Sequence, residues 1–390
     1  MPRTLVIDDD PGLERMIKDH PPSCADGRHD FVFARTNDAA VDVLLHDKTL
    51  DVAMVAVDNP ELAGLDIFRR LGDVKVRIPR IALMSRTDLG TIRAAMNGGA
   101  ADFLAKPIRR DDLDSTINRV FADCEARRHA WRTEAQLAAL EREVDVARNL
   151  QSQILPGSFE APEGIEIFAR MEPAKAMSGD FFDLFEIDDN RFGFVIADVS
   201  GKGVPAAFFM AVARTLIRAT ALTGVSPGEC LDRANLLLCH HQVSGMFVSV
   251  FYGVVDRDTW ELTYANGGHN TPFVIDGKTQ LVRPLVGGDG VVLGVQDMLP
   301  YEEGAIILHP GDSLFLYTDG VSEAFNKDRE QFSEQRLMDR LGDQGVSPVD
   351  QAVEAIFAAV AEHTAGAAQS DDMTAVMVRR SANALSSFVI

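Results

Sequence analysis

Ala197-Asp198-Val199-Ser200-Gly201, with Ser178-Gly179-Asp180, Tyr317-Thr318-Asp319-Gly320 and Ser370-Asp371-Asp372-Met373-Thr374, decides how the C-terminal part of this chain is read. Each run places an Asp at the end of an apolar, strand-like segment or in the turn beside it. Asp residues this far apart share a site only if a fold brings the strand ends together. Such a set offers oxygen ligands alone, which suit Mg²⁺ or Mn²⁺ and not Zn²⁺. Two such ions activate water and clamp a phosphate. The pattern points to phosphoester hydrolysis. Taken singly, an Asp beside Gly is more often a turn residue; the set carries the reading.

Bulk properties narrow the remainder. A length of 390 residues suggests more than one domain, and 46% hydrophobic residues suffice for real cores. A net charge of -21 disfavours nucleic acid and anionic membrane as partners. Cys24, Cys124, Cys230 and Cys239 show no CxxC spacing and read as reduced thiols. MPRTLVIDDD is a strand running into acid, not a signal peptide. No apolar run approaches the ~20 residues of a membrane span. The expectation is a soluble, cytoplasmic protein.

Three regions follow from texture. Residues 1–122 alternate apolar runs (Thr4–Ile7, Phe31–Ala34, Val52–Val57, Arg80–Met84, Ala101–Leu104) with helix-like stretches such as Asp38–Leu45 and Thr91–Asn97. That spacing predicts an α/β doubly wound parallel sheet with ligands at the carboxyl ends of its strands. Residues 123–155 lack Gly and Pro and predict a helical linker. Leu137, Val144 and Gln151 fall at a positions, Leu140 and Ile154 at d, so a parallel coiled-coil homodimer is expected, with polar Gln151 fixing register. Residues 156–382 are rich in strands with three helical blocks, near Pro205–Leu222, Pro227–His240 and Val349–His363. An α+β sandwich flanked by helices is expected there. The glycine-rich stretch Val286–Val291 reads as a surface loop.

The N-terminal motifs LVIDDDPGL, PELAGLDIFRRL and GGAADFLAKPI, together with Ser85, resemble a response-regulator receiver domain. The resemblance implies that Asp8 and Asp9 hold Mg²⁺ and that Ser85 and Lys106 read a phosphate. It also puts Ala56 where the phosphoacceptor Asp belongs, and a methyl group cannot form an acyl phosphate. Either the receiver works without phosphate or an Asp has been changed to Ala. Asp58, two residues on along the strand, shares the face of Ala56 but reads better as a turn residue before Pro60.

Further on, LQSQILP, SGDFFDLF, ADVSGKGVPAAFFM, FVSVFYGVVD, YANGGHNTP, LFLYTDGVSEA and SDDMTAVMV, in that order, resemble the PPM-type serine/threonine protein phosphatases. The similarity is to the branch of sporulation protein E and the stress-sigma-factor phosphatases. It implies two Mn²⁺ or Mg²⁺ ions: Asp198 bridging both, the Val199 carbonyl on the first, Asp319 and Asp371 on the second, and Asp180 assisting through water. Asp198, Asp319 and Asp371 are thereby the expected catalytic set. Asp183 is an accessory candidate, Asp372 a turn acceptor and His269 a structural turn residue. Lys202 is open between a phosphate contact and a solvated side chain. The implied function is hydrolysis of phosphoserine or phosphothreonine on a partner protein, an anti-sigma-factor antagonist in a partner-switching pathway. The rival is a non-catalytic adaptor that binds a sigma factor or its regulator; the retained Asp set speaks for the enzyme.

Overall fold

Small and β-branched apolar residues tolerate burial on both faces of a sheet, and the N-terminal runs use that tolerance. In the computed structural model, which describes residues 2–24, 27–57, 78–85, 87–157, 159–240, 245–297, 300–345 and 347–382, they are strands. The first unit, Met1–Leu140, contains β1 (Arg3–Ile7), α1 (Pro11–Asp19), β2 (Ser23–Cys24), β3 (Gly27–Arg28) and β4 (Asp30–Ala34). It continues with α2 (Asn37–His46), β5 (Val52–Ala56), β6 (Arg80–Met84), α3 (Leu89–Asn97) and β7 (Asp102–Ala105). The main sheet is parallel, in the order β4-β1-β5-β6-β7. One core packs around Ile7, Val55 and Met84, the other around Val6, Met54 and Leu83. The alternation along each strand thus feeds both faces. Asp10, Thr36 and Asp88 cap α1, α2 and α3 with side-chain hydrogen bonds.

One helix, α4 (Arg110–Ile154), follows. It was expected over 123–155 and begins earlier, because no Gly or Pro lies between Pro107 and Pro156. Leu137 and Leu140 are exposed on it. Gln151 is not: it is buried, and its side chain bonds both ways with the Ser178 backbone. The expectation that Gln151 sits in a coiled-coil seam is therefore corrected. An amide already spent on its own chain cannot pair across a dimer.

The second unit, Glu141–Ile390, is built from two sheets packed face to face. Its elements are β8 (Ile165–Glu172), β9 (Phe181–Glu186), β10 (Arg191–Val199), α5 (Val204–Ala221), α6 (Pro227–His240), β11 (Val248–Asp256) and β12 (Glu261–Gly267). Then come β13 (Phe273–Ile275), β14 (Val282–Pro284), β15 (Asp289–Gly290), β16 (Gly304–Ile307), β17 (Ser313–Tyr317), α7 (Asp319–Ser322), α8 (Glu334–Gln344), α9 (Val349–Thr364) and β18 (Met373–Arg380). One sheet runs β15-β12-β11-β10-β9 with β16 beside β12; the other runs β14-β13-β17-β18-β8. Phe194, Phe251, Leu316 and Val376 meet in the core between them. The outer face of the first sheet is covered by α5 and α6, that of the second by α8 and α9.

By length and composition α5 is apolar enough to cross a membrane. Ala206, Phe209, Met210, Ala213 and Ile217 nevertheless pack into the core beside β9 and β10. The stretch expected to be a surface loop contains β15, which pairs in parallel with Asn266–Gly267. Its glycines are needed there: Gly288 has φ 73° and packs against the Tyr264 ring.

Candidate metal centre

Two antiparallel strand pairs, one from each sheet, bring the Asp runs to one end of the sandwich. Antiparallel β9 and β10 pair Phe181 with Ala197, so Asp180 and Asp198, one step further on each strand, end side by side. In the other sheet β17 and β18 pair Tyr317 with Ala375. One step beyond, Thr318 N donates to Thr374 O at 3.0 Å. Asp319 opens α7, and Asp371 and Asp372 precede β18.

The two sheets are tied through Asp180. Its Oδ2 accepts from Thr318 Oγ1 at 2.8 Å and from Thr374 Oγ1 at 2.7 Å. Burial, with Asp198 adjacent, holds the Asp180 carboxyl well above the usual carboxylate range. Burial raises Asp198 to about 7, with Asp319 contributing and a hydrogen bond from Asp180 opposing. Burial and then Asp371 raise Asp319. Mutual repulsion among Asp180, Asp198, Asp319 and Asp371 is the electrostatic signature of a place that favours a cation.

The donor set fits divalent ions of the hard class. Among the described residues no three acidic, His or Cys side chains close into a tight cage. That is compatible with Mg²⁺-type binding, in which one or two carboxylates and several waters complete the shell. Lys202 stands at the open side, its Nζ 2.8 Å from Asp371 Oδ2 and bonded to Ser370 O. Gly179 is required where it is: a Cβ there would lie 2.9 Å from Val199 O.

The neighbours of the set do different work. Asp372 is buried and accepts from Ala174 N (2.7 Å), Ser178 Oγ (2.9 Å) and Gly179 N (2.8 Å). It shapes the turn that carries Asp180. Asp183 Oδ1 accepts from Arg214 (2.9 Å) and Arg218 (2.7 Å), both on α5. Asp183 thus anchors the helix that follows the Asp198 turn. The sequence reading missed both arginines, though their i,i+4 spacing on an apolar helix was a usable signal. Asn266 bonds His269 at both N and O, which makes the turn. The His269 ring bonds Ser249 Oγ at 2.9 Å, beside Asp198 in register. Burial lowers that imidazole to about 4.

In the first unit the receiver-like residues gather at the carboxyl ends of β1, β5, β6 and β7. Asp8 is buried and accepts from Lys106 Nζ at 2.8 Å. Asp9 and Ser85 are exposed. Ala56 ends β5, fully buried, opposite Leu83. Asp58 lies outside the described residues.

Comparison with known proteins matches residues 4–118 to the response regulator receiver domain and residues 188–381 to Stage II sporulation protein E. The chain joins a receiver domain to a SpoIIE-type PPM phosphatase domain. The phosphoserine phosphatase RsbU of Bacillus subtilis (strain 168) is 32% identical over 184 residues, 47% of this chain and 54% of RsbU. Protein IcfG of Synechocystis is 28% identical over 265 residues, 61% of this chain and 41% of IcfG. The chain thus spans about half the length of these relatives. The solved SiaA-PP2C domain of Pseudomonas aeruginosa is 25% identical, with a TM-score of 0.55, covering 63% of this chain and 98% of that one. The Asp residues described above lie at strand ends of the phosphatase domain, and Ala56 ends β5 of the receiver domain.

Proposed function

We propose that this chain is a receiver-linked protein phosphatase that hydrolyses phosphoserine or phosphothreonine on a partner protein. The observation that carries the reading is the meeting of Asp198, Asp180, Asp319 and Asp371 at one end of the sandwich, electrostatically coupled. In this reading Asp198, with the Val199 carbonyl, Asp180, Asp319 and Asp371, would hold two ions, Mn²⁺ or Mg²⁺. When bound, such ions lower the pKa of water and neutralise phosphoryl oxygens. The chain's own contribution is positional. Thr318 and Thr374 fix the Asp180 rotamer, Asp372 holds the 174–179 turn, and the Asp183–Arg214–Arg218 cluster seats α5 behind the Asp198 turn. Lys202 pairs with Asp371 and donates to Ser370 O, which holds its ammonium beside the carboxylate set.

RsbU is named as a phosphoserine phosphatase, and that similarity supports a phosphorylated protein as substrate. An anti-sigma-factor antagonist in a partner-switching pathway is the substrate we infer. Cys124, Cys230 and Cys239 are free thiols, which supports work in the reducing cytoplasm. The receiver is inferred to hold Mg²⁺ at Asp8 and Asp9, and the exposed Leu137 and Leu140, with Val144 and Ile154, to support a homodimer.

The test is turnover of a phosphoserine protein by the full chain with Mn²⁺ or Mg²⁺. Activity should vanish with a chelator. Asp198→Asn should reduce it by orders of magnitude and weaken Mn²⁺ binding in calorimetry. Undiminished turnover in that variant overturns the mechanism. A wild type without turnover that still captures a sigma factor or its regulator establishes the adaptor instead.

A further inference from the structure

Beside the carboxylates lies a groove that the reading above leaves unused. Its cavity measures about 400 Å³, within the range of sites that bury small organic groups. Gly320 and Ser370, chain neighbours of Asp319 and Asp371, form its near wall. The inner surface is apolar: Phe357 and Met373 lie in it, and Phe325, 38% exposed, stands at its side. Arg170 closes the far side. Its guanidinium lies 4.4 Å from the Phe357 ring centroid and pairs with Glu172 and Glu354.

We propose that this groove seats an apolar side chain of the substrate protein, from the segment flanking the phosphorylated residue. The proposal rests on the phosphatase reading and names the chemistry that reading lacks, the determinant of sequence preference. The occupant follows from position and charge. The turn after Thr318 and the loop before Asp371 wall both the metal centre and the groove, so a segment presenting its phosphate to one has the other within reach. The single cation of the lining is matched by two carboxylates. That leaves one negative charge in excess, in a chain of net charge -21. A second phosphate or an acidic side chain is repelled there. An aliphatic or aromatic side chain gains by leaving water, and Ala358 and Ala361 on α9 are exposed and small enough to leave it room.

The experiment uses the full chain with Mn²⁺ and synthetic phosphoserine peptides carrying Leu, Gly or Glu at each flanking position in turn. Leu at one or two positions should raise kcat/KM about tenfold over Gly, mostly through KM, because this contact is shared by ground and transition states. Glu should lower it. Ala361→Trp fills the groove from an exposed helical position and should abolish the Leu preference. The ratio of peptide to p-nitrophenyl phosphate kcat/KM should fall about tenfold with it. Ala358→Leu is a milder second filling, and circular dichroism reports the fold of both. Absence of a Leu preference at every position in wild type overturns the proposal. So does an unchanged ratio in both folded variants. Failure of wild type on both the peptides and p-nitrophenyl phosphate sinks the phosphatase reading itself, a separable result.

Discussion

Asp371 and Asp372 are adjacent and chemically identical, and the structure gives them opposite duties. Asp372 is buried and receives three donors from the 174–179 turn. The Asp371 side chain is 37% exposed and meets the Lys202 ammonium. Asp372→Asn leaves buried donors facing an amide and should cost on the order of 3 kcal/mol in urea unfolding. Asp371→Asn gives up a solvent-exposed ion pair and should cost less than about 1 kcal/mol, yet weaken Mn²⁺ binding in calorimetry. A reversal of the two patterns would show that the roles are assigned the wrong way round. The resemblance to the PPM-type motifs is what grouped Asp180, Asp198, Asp319 and Asp371; strand-end position alone left open whether a fold brings them together. It did not reveal Arg214 and Arg218. A guanidinium on an apolar helix has no local partner in sequence, and Asp183 reaches it only through the packing of α5 on β9.

At the scale of elements, α4 was legible because its composition excludes breakers, and its early start has the same cause. What periodicity could not say is which partner its apolar stripe meets. The heptad frame assigned Gln151 to another copy, whereas Ser178 of the same chain takes it. The same blindness hid β9. Phe181–Phe185 is buried on both faces, so its run FFDLF shows no alternation to read. Leu137 and Leu140 remain exposed, at 57% and 58%, and they belong to the stretch where a dimer seam would form. Leu137→Asp with Leu140→Asp should give a monomer by light scattering if wild type is a dimer held there. A wild type that is monomeric at micromolar concentration, or a double variant that stays dimeric, removes this helix from the interface.

For the whole molecule, the question is what the receiver conveys if Ala56 stands, as the resemblance implies, at the acceptor position. The receiver sheet was readable strand by strand from hydrophobic runs and turn residues. Ala56 is fully buried at the end of β5, and Lys106 pairs with Asp8; where the receiver resemblance puts the acceptor, the chain offers a methyl group. An acyl phosphate needs a carboxylate oxygen as nucleophile, and a methyl group offers none. Wild type treated with acetyl phosphate and Mg²⁺ should therefore show no phosphoryl adduct in the receiver by peptide mass spectrometry. Ala56→Asp restores a carboxylate near Asp8 and within the field of Lys106, a cation that favours its charged form. That variant should accept phosphate at position 56. Its turnover of a phosphoserine protein should then depend on acetyl phosphate, while wild-type turnover should not. An adduct at Asp58 in wild type would show instead that the neighbouring carboxylate has taken over the acceptor's place.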